Sequence, residues 1–449
     1  EPLPAVVDPR EAVDSPTLLF PEHGSNVAVR LPALGPVDFS ACEVVVEQRM
    51  VNQRIAPSPL EARVAVSRWE QPDENGVRRL THWQACQGMH PIRNSIAEFY
   101  KMPAEQIRLI TPDVGGGFGA KAFFYPEDIL LPWLARTVDR PVRYTETRTE
   151  SMNGLGHGRG QIQDVKIGGT RDGRILAYEL KVLADSGAYA RFGAFLPFMT
   201  GRMVTGTYDI ANAACDSVSV LTNTVPTVAY RGAGRPEAAA AIERAVDLFA
   251  AEIGVDPAEV RRRNLVAPDR FPYTNAAGTV YDSGDYPGSL ERALEAANYA
   301  GLRAEQARRR AANDRVQLGI GLSVYVEITA MSGGKELGSV EVHTDDAGAV
   351  RATVVTGTSP YGQGHRTTWA MLVSDRLGIP FENITVVHGD TDLVRSSEIT
   401  GGSRSVQIGG TNVWRAAGVV ADKARAIAAR LLEADIDDVV LENLSLIHI

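Results

Sequence analysis

The sequence predicts a mixed α+β chain built from more than one domain, and three observations carry that reading. Its 449 residues are enough for two to four domains with a large core. Segments with the two-residue alternation of strands are interleaved with segments whose apolar residues recur at helical spacing. Glycine-rich loops stand where strands end, above all Gly115-Gly116-Gly117-Phe118-Gly119-Ala120-Lys121.

In chain order, residues 1–40 are rich in Pro and Ser and read as an extended linker. Val44–Glu47, Ala62–Val66 and Leu80–Ala85 have the β-branched and aromatic content of strands. A short helix runs from Pro91 to Phe99, with proline in its first turn. Gln106–Thr111 is a strand that feeds the triple-glycine loop. Pro126–Leu134 is helical and Pro141–Thr145 is a strand. Residues 161–187 alternate around the turn Arg171-Asp172-Gly173-Arg174, which marks a β-hairpin.

A long helix follows Arg235. Pro236 fits its first turn, Glu237 complements the positive end of its dipole, and Ile242, Val246, Phe249 and Ile253 share one face. Asp256-Pro257-Ala258-Glu259 opens another helix with capping chemistry. Residues 265–290 are loop, and 290–313 form an Arg/Ala-rich connecting helix. A second region begins near Val316, with strands at 318–328, 338–344 and 349–356. After these come a loop at 357–365, a helix to Leu377, the strand Ile384–Val387, and a helix from about Val413 to Leu432.

Composition narrows the function. The net charge of −9, without a basic block, speaks against a nucleic-acid partner. No run approaches eighteen apolar residues, so no membrane span is expected. The three cysteines, Cys42, Cys86 and Cys215, have neither iron–sulfur nor disulfide-framework spacing, which suits a reducing compartment and a cytoplasmic location. Eight histidines contain no His-x-x-x-His pair, so no protein-ligated metal is expected and any metal must arrive with its own ligands. The start at Glu1 and the ending Leu444-Ser445-Leu446-Ile447-His448-Ile449 suggest a fragment.

The triple-glycine loop presents bare backbone N–H groups that an anionic ligand can approach. A P-loop requires Ser or Thr after Gly-Lys, and Ala122 fails that test. Gly115, Gly117 and Ala120 fit a dinucleotide-binding spacing, but Lys121–Pro126 does not run directly into a helix, so NAD binding is the lesser alternative.

Read together, Gln87-Gly88-Met89-His90, the triple-glycine loop, Ala229-Tyr230-Arg231-Gly232-Ala233-Gly234-Arg235 and Gly362-Gln363-Gly364-His365 resemble the molybdopterin-binding large subunit of the xanthine dehydrogenase/aldehyde oxidase (molybdenum hydroxylase) family. The order and spacing match as well, over nearly all of residues 1–443. Within that family the chain looks most like large subunits of carbon-monoxide-dehydrogenase-like enzymes. The resemblance implies a linker from a missing N-terminal domain (1–40), a first molybdopterin-binding domain (41–290), a connecting helix (291–315) and an incomplete second molybdopterin-binding domain (316–449).

It also implies roles. Gly116, Gly117, Phe118 and Gly119 would offer backbone amides to the molybdenum and the pterin, and Gln87 an amide to the metal's oxo ligand. Gln363, with Gly362, Gly364 and His365, would meet phosphate or pterin. Ser403, Arg404 and Ser405 of Gly401-Gly402-Ser403-Arg404-Ser405 would suit a pyrophosphate. Arg231 and Gly232 would shape the substrate side. Carbon monoxide oxidisers of the family carry a copper-holding cysteine where this chain has Gly232, so the resemblance is to the copper-free group, whose expected substrates are aldehydes and N-heteroaromatic compounds.

The cofactor implied is molybdenum–molybdopterin in its cytosine dinucleotide form. The partners implied are a small 2Fe-2S subunit and an FAD-binding medium subunit, in a dimer of heterotrimers. The reaction implied is hydroxylation with water-derived oxygen and a glutamate as general base. The family's Gly-x-Gly-Glu motif is missing here, and Glu327, Glu341, Asp390 and Asp392 do not match it. The chain alone is therefore expected to be catalytically incomplete. Carbon monoxide oxidation and a non-catalytic pseudo-subunit are the alternatives.

Overall fold

A computed structural model describes residues 3–33, 35–330, 333–442 and 445–448. Packing divides the chain into two compact units, each drawn from two separate stretches: Glu1–Ala56 with Gly156–Glu327, and Pro57–Leu155 with Ile328–Ile449. The sequence-based division at 41, 291 and 316 follows chain order, whereas packing groups residues 57–155 with the later part of the chain.

The first unit is built on a five-stranded sheet. Its spatial order is Val27–Leu31, Asn212–Val220, Ile175–Asp185, Gln161–Gly169, Val44–Asn52. All neighbours are antiparallel except Ile175–Asp185 with Asn212–Val220, whose connection carries a short helix, Leu196–Arg202. The expected hairpin is present in full: Val165 opposes Leu180 and Ile167 opposes Tyr178, all four buried. The helix Arg235–Ile253 packs on the strands Val44–Asn52 and Gln161–Gly169, burying Ile242, Val246 and Phe249. Asp256 caps Pro257–Asn264 by accepting from Ala258 N.

Three expectations in this unit are corrected. Residues 1–40 read as extended linker, yet 27–31 are a sheet strand; Leu221 N–H donates to Asn26 O, which continues the ladder. The connecting helix is two helices, Tyr286–Ala296 and Tyr299–Ala311, because Asn298 adopts a left-handed backbone (φ +48) that ends the helical path. Residues 318–328 alternate like a strand but join no sheet among the described residues. Side chains satisfy that backbone instead: Gln306 Nε2 donates to Leu318 O, Arg261 to Leu322 O and Thr207 to Val324 O, while Val324 N–H donates to Glu243.

The second unit contains two strand–helix–strand crossovers. Leu80–Gln84 and Ile107–Ile110 are parallel neighbours joined by the helix Met89–Tyr100, within the sheet order Ile107–Ile110, Leu80–Gln84, Val64–Trp69, Val142–Thr145. Val350–Thr356 and Ile384–Val387 are parallel neighbours joined by the helix His365–Leu377, with Gly338–Thr344 antiparallel at the far edge. Leu80, Met89, Ile92, Ile96, Ile107 and Leu109 form one core cluster; Val354, Trp369, Val373, Val413 and Ala417 form another beneath the helix Thr411–Leu432. In such crossovers the loops at the carboxyl ends of the parallel strands are where ligands bind, and the expected glycine loops lie there.

Candidate functional site

The triple-glycine loop leaves the end of Ile107–Ile110. Gly116, Phe118 and Gly119 have φ of +95°, +54° and +103°, so the chain turns back on itself. A 3-10 turn follows at Ala120–Ala122, and the next helix begins only at Pro126, so no helix N-terminus lies directly after the loop as a dinucleotide fingerprint requires.

Gln87 holds one end of the loop. Its side chain is 1% exposed; Oε1 accepts from Gly119 N–H at 2.9 Å and Nε2 donates to Thr400 O at 3.1 Å. The backbones of Gln87 and Thr400 are also joined, Thr400 N–H to Gln87 O at 2.7 Å. A Cβ at Gly117 would strike Gln87 Oε1, so this approach requires glycine. Gly115 N–H donates to Glu61 Oε2 and Gly116 N–H to Val114 O. Among the described residues the N–H groups of Gly117 and Phe118 meet no acceptor. Of the four residues expected to offer amides, these two have N–H groups left open among the described residues; those of Gly116 and Gly119 are used within the chain.

The second loop leaves Val350–Thr356. Gly362 (φ +112) and Gly364 (φ +80) require the left-handed region, and Gly364 is the N-cap of His365–Leu377 without a side-chain cap. Gln363 is exposed and its Oε1 accepts from Tyr361 N–H at 2.7 Å. The N–H groups of Gly362, Gln363 and Gly364, and those of the first helical turn, have no acceptor among the described residues. His365 is 4% exposed and stacks on Trp369 with centroids 5.2 Å apart; burial, and secondarily the nearby His388, lower its pKa to about 4. Its Nδ1 and the Oγ of the fully buried Ser359 lack hydrogen-bond partners among the described residues.

Ser403 takes φ +54 in the loop that follows Thr400. Arg404 donates to Gly333 O (3.1 Å) and Ile399 O (2.9 Å) and pairs with Glu398 (2.7 Å), so its guanidinium braces the loop from inside. Ser405 opens a π-helical turn that leads into the helix Thr411–Leu432.

Arg231 and Gly232 belong to the first unit. Gly232, Ala233 and Gly234 have φ of +95°, +46° and +90°, a tight turn held by Arg159, which donates to Tyr230 O and Arg231 O and pairs with the buried Glu237. Glu237 in turn accepts from Gly234 N–H at 2.9 Å. The Arg231 side chain is exposed and has no hydrogen-bond or ion-pair partner among the described residues. A Cβ at Gly232 would fall 2.6 Å from Pro236 Cδ, and closer still to its Cγ.

A family model described as the molybdopterin cofactor-binding domain matches residues 20–265, and a second of the same description matches 292–448. The chain belongs to the molybdopterin-binding large subunits of the molybdenum hydroxylase family. It is 36% identical to subunit gamma of the 6-hydroxypseudooxynicotine dehydrogenase complex of Paenarthrobacter nicotinovorans, over 98% of this chain and 55% of that one. It is 34% identical to the carbon monoxide dehydrogenase large chain of Hydrogenophaga pseudoflava, over 97% and 57%. The crystal structure of quinoline 2-oxidoreductase from Pseudomonas putida 86 superposes with a TM-score of 0.90 at 32% identity, over 99% of this chain and 57% of that one. The chain thus spans a little over half the length of these relatives.

The donors described above suit the cofactor of this molybdenum hydroxylase family. Backbone N–H groups at 117–118 and 362–367, with a buried hydroxyl and imidazole, all without partners among the described residues, are chemistry for an oxygen-rich anionic ligand. Among the described residues no group of three His, Cys, Asp or Glu could hold a metal ion, and no helix is long and apolar enough to cross a membrane. Glu327 pairs with Arg235, Asp390 with Arg108, and Asp392 with Arg79 and Arg108. Sequence reading missed Glu61, Thr400 and Ser359, which have no local pattern, and passed over Lys121, whose signal was a charge immediately after a glycine loop.

Proposed function

We propose that this chain is the molybdopterin-holding part of a copper-free hydroxylase that places water-derived oxygen on an electron-poor carbon of an N-heteroaromatic or aldehyde substrate. The observation that carries the copper-free reading is Gly232. Its positive φ and the Pro236 ring beside it leave no room for a side chain, so a metal-holding thiolate there would require the turn to rebuild. Two of the similar proteins are named for quinoline and for a pseudooxynicotine, which supports an N-heteroaromatic substrate.

Bound molybdopterin would supply the redox centre at which oxygen and substrate carbon meet. Gly117 and Phe118 N–H would donate to it from one loop, and Gly362, Gln363, Gly364 and the helix start at His365 from the other. Gln87 keeps the first loop open toward it, Ser403 and Ser405 add hydroxyls, and Arg231 presents a free cation to the substrate. We further propose the cytosine dinucleotide form, 2Fe-2S and FAD on small and medium partner subunits, a dimer of heterotrimers, and a cytoplasmic location, in keeping with three free cysteines.

The test is to purify the full-length subunit with its partners and measure molybdenum and copper. It would then be assayed with quinoline, nicotine-type and aldehyde substrates in isotopically labelled water. Molybdenum without stoichiometric copper, and labelled product, are expected. Stoichiometric copper with carbon monoxide oxidation, the activity named for another similar protein, would overturn the reading. Gly232→Cys is expected to lose about 1–3 kcal/mol of stability from backbone strain and to gain no copper.

A further inference from the structure

Glu61 and Lys121 meet at the start and end of the triple-glycine loop, and neither has a place in the assignments above. The Lys121 side chain has no exposed area, and its ammonium lies 2.8 Å from Glu61 Oε2. That same oxygen accepts from Gly115 N–H at 2.9 Å, while Glu61 N–H donates to Gly115 O at 3.1 Å. A Cβ on Gly115 would fall 2.5 Å from Glu61 Cβ, so the approach is closed to any other residue. At the other end, Lys121 O accepts from Gln87 N–H at 3.0 Å, and Gln87 Oε1 accepts from Gly119 N–H. The loop is therefore clamped at Gly115 by Glu61, at Gly119 by Gln87, and at Lys121 by both. Between the clamps at Gly115 and Gly119, the N–H groups of Gly117 and Phe118 have no acceptor among the described residues.

We propose that Glu61 and Lys121 are positioning residues that fix the direction of the Gly117 and Phe118 N–H donors and thereby the retention of the molybdopterin cofactor. The assignment of the loop to that cofactor rests on the function proposed above; the clamp itself rests on the geometry. Burial lowers the Lys121 pKa and Glu61 opposes that shift, so the ammonium depends on its partner. Replacing either member frees Gly115 N–H, or leaves one charge in the loop uncompensated.

The experiment uses the full-length subunit in its complex, as Glu61→Gln, Lys121→Met and Lys121→Arg. Arg108→Ala, which breaks a pair with Asp390 elsewhere in the same unit, is the control. The readouts are molybdenum and pterin content per subunit after exhaustive dialysis, and amide hydrogen exchange of a peptide spanning 112–125. Glu61→Gln and Lys121→Met are expected to lose roughly tenfold or more in cofactor retention, in the range seen for groups that orient first ligands. Their faster exchange should be confined to that peptide. Lys121→Arg should restore most of both, and Arg108→Ala should change neither. Unchanged loop exchange in Glu61→Gln and Lys121→Met would overturn the clamp, as would equal loss of retention in the control. If the wild-type complex holds no molybdopterin while loop exchange still responds to Glu61→Gln, the clamp stands and the functional reading fails.

Discussion

The two crossovers of the second unit start their helices in the same way and use the result differently. In the first, Gln87-Gly88 precedes Met89–Tyr100; in the second, Gln363-Gly364 precedes His365–Leu377. Gln87 is buried between Gly119 and Thr400, Gly88 abuts Ile399, and His90 N–H and Nδ1 both meet Ser397 Oγ. That helix start is closed by the chain's own residues. Gln363 is exposed, and a Cβ on Gly362 or Gly364 would meet nothing within 4 Å. That helix start is open. One motif thus closes on the chain's own residues in one crossover and stays open in the other, and what separates them is whether Ser397–Thr400 packs on the helix start itself.

This contrast can be broken by mutation. The largest effect is expected for Gln87→Ala, which strands Gly119 N–H, leaves Thr400 O with the Tyr361 hydroxyl alone and opens a cavity; a loss of about 2–4 kcal/mol should appear in denaturant unfolding. Next is Glu336, whose side chain lies over Gly357 at the exit to the open loop. Burial pushes its pKa up to about 7, against Arg404, with Glu398 adding to the rise. A raised pKa means the folded state holds the proton more tightly. The stabilisation is complete below the unfolded value near 4.5 and is lost as pH rises through about 7. Glu336→Gln should flatten that decline, an effect on the order of 1 kcal/mol seen by comparing melting at pH 5 and pH 8. Gly364→Ala should cost about 1 kcal/mol from left-handed strain alone, since the space is empty. Gln363→Ala should change stability by less than about 0.5 kcal/mol, and its effect should appear in cofactor content after dialysis. If Gln363→Ala unfolds the protein as Gln87→Ala does, the contrast is wrong.

Elements with their own strong period were legible in the sequence. The hairpin, the helix after Arg235 and the helix after Gly364 all carry turn or cap residues that act within a few positions. The corrected elements lack such local causes. Residues 318–328 alternate correctly, yet Arg261, Glu243 and Thr207 take the place of a neighbouring strand, and their positions follow from packing. Residues 27–31 gain a strand partner nearly two hundred positions away. The glycine loops were legible because glycine is required by positive φ and by close approach. What surrounds them was not: Glu61 reaches Gly115 and Lys121 across 54 and 60 residues, and Gln87 reaches Thr400 across 313.

That last separation bears on biosynthesis. Residues 57–155 contain all four strands of their sheet, so this half can pair its backbone as soon as it leaves the ribosome. Its core contact Val394 and the Thr400 carbonyl that fixes Gln87 are still untranslated. At ordinary elongation rates the wait is on the order of ten seconds or more. The triple-glycine loop is thus among the last parts of this unit to take its final form, and under the function proposed above insertion of a cofactor follows synthesis as far as Thr400 rather than accompanying it.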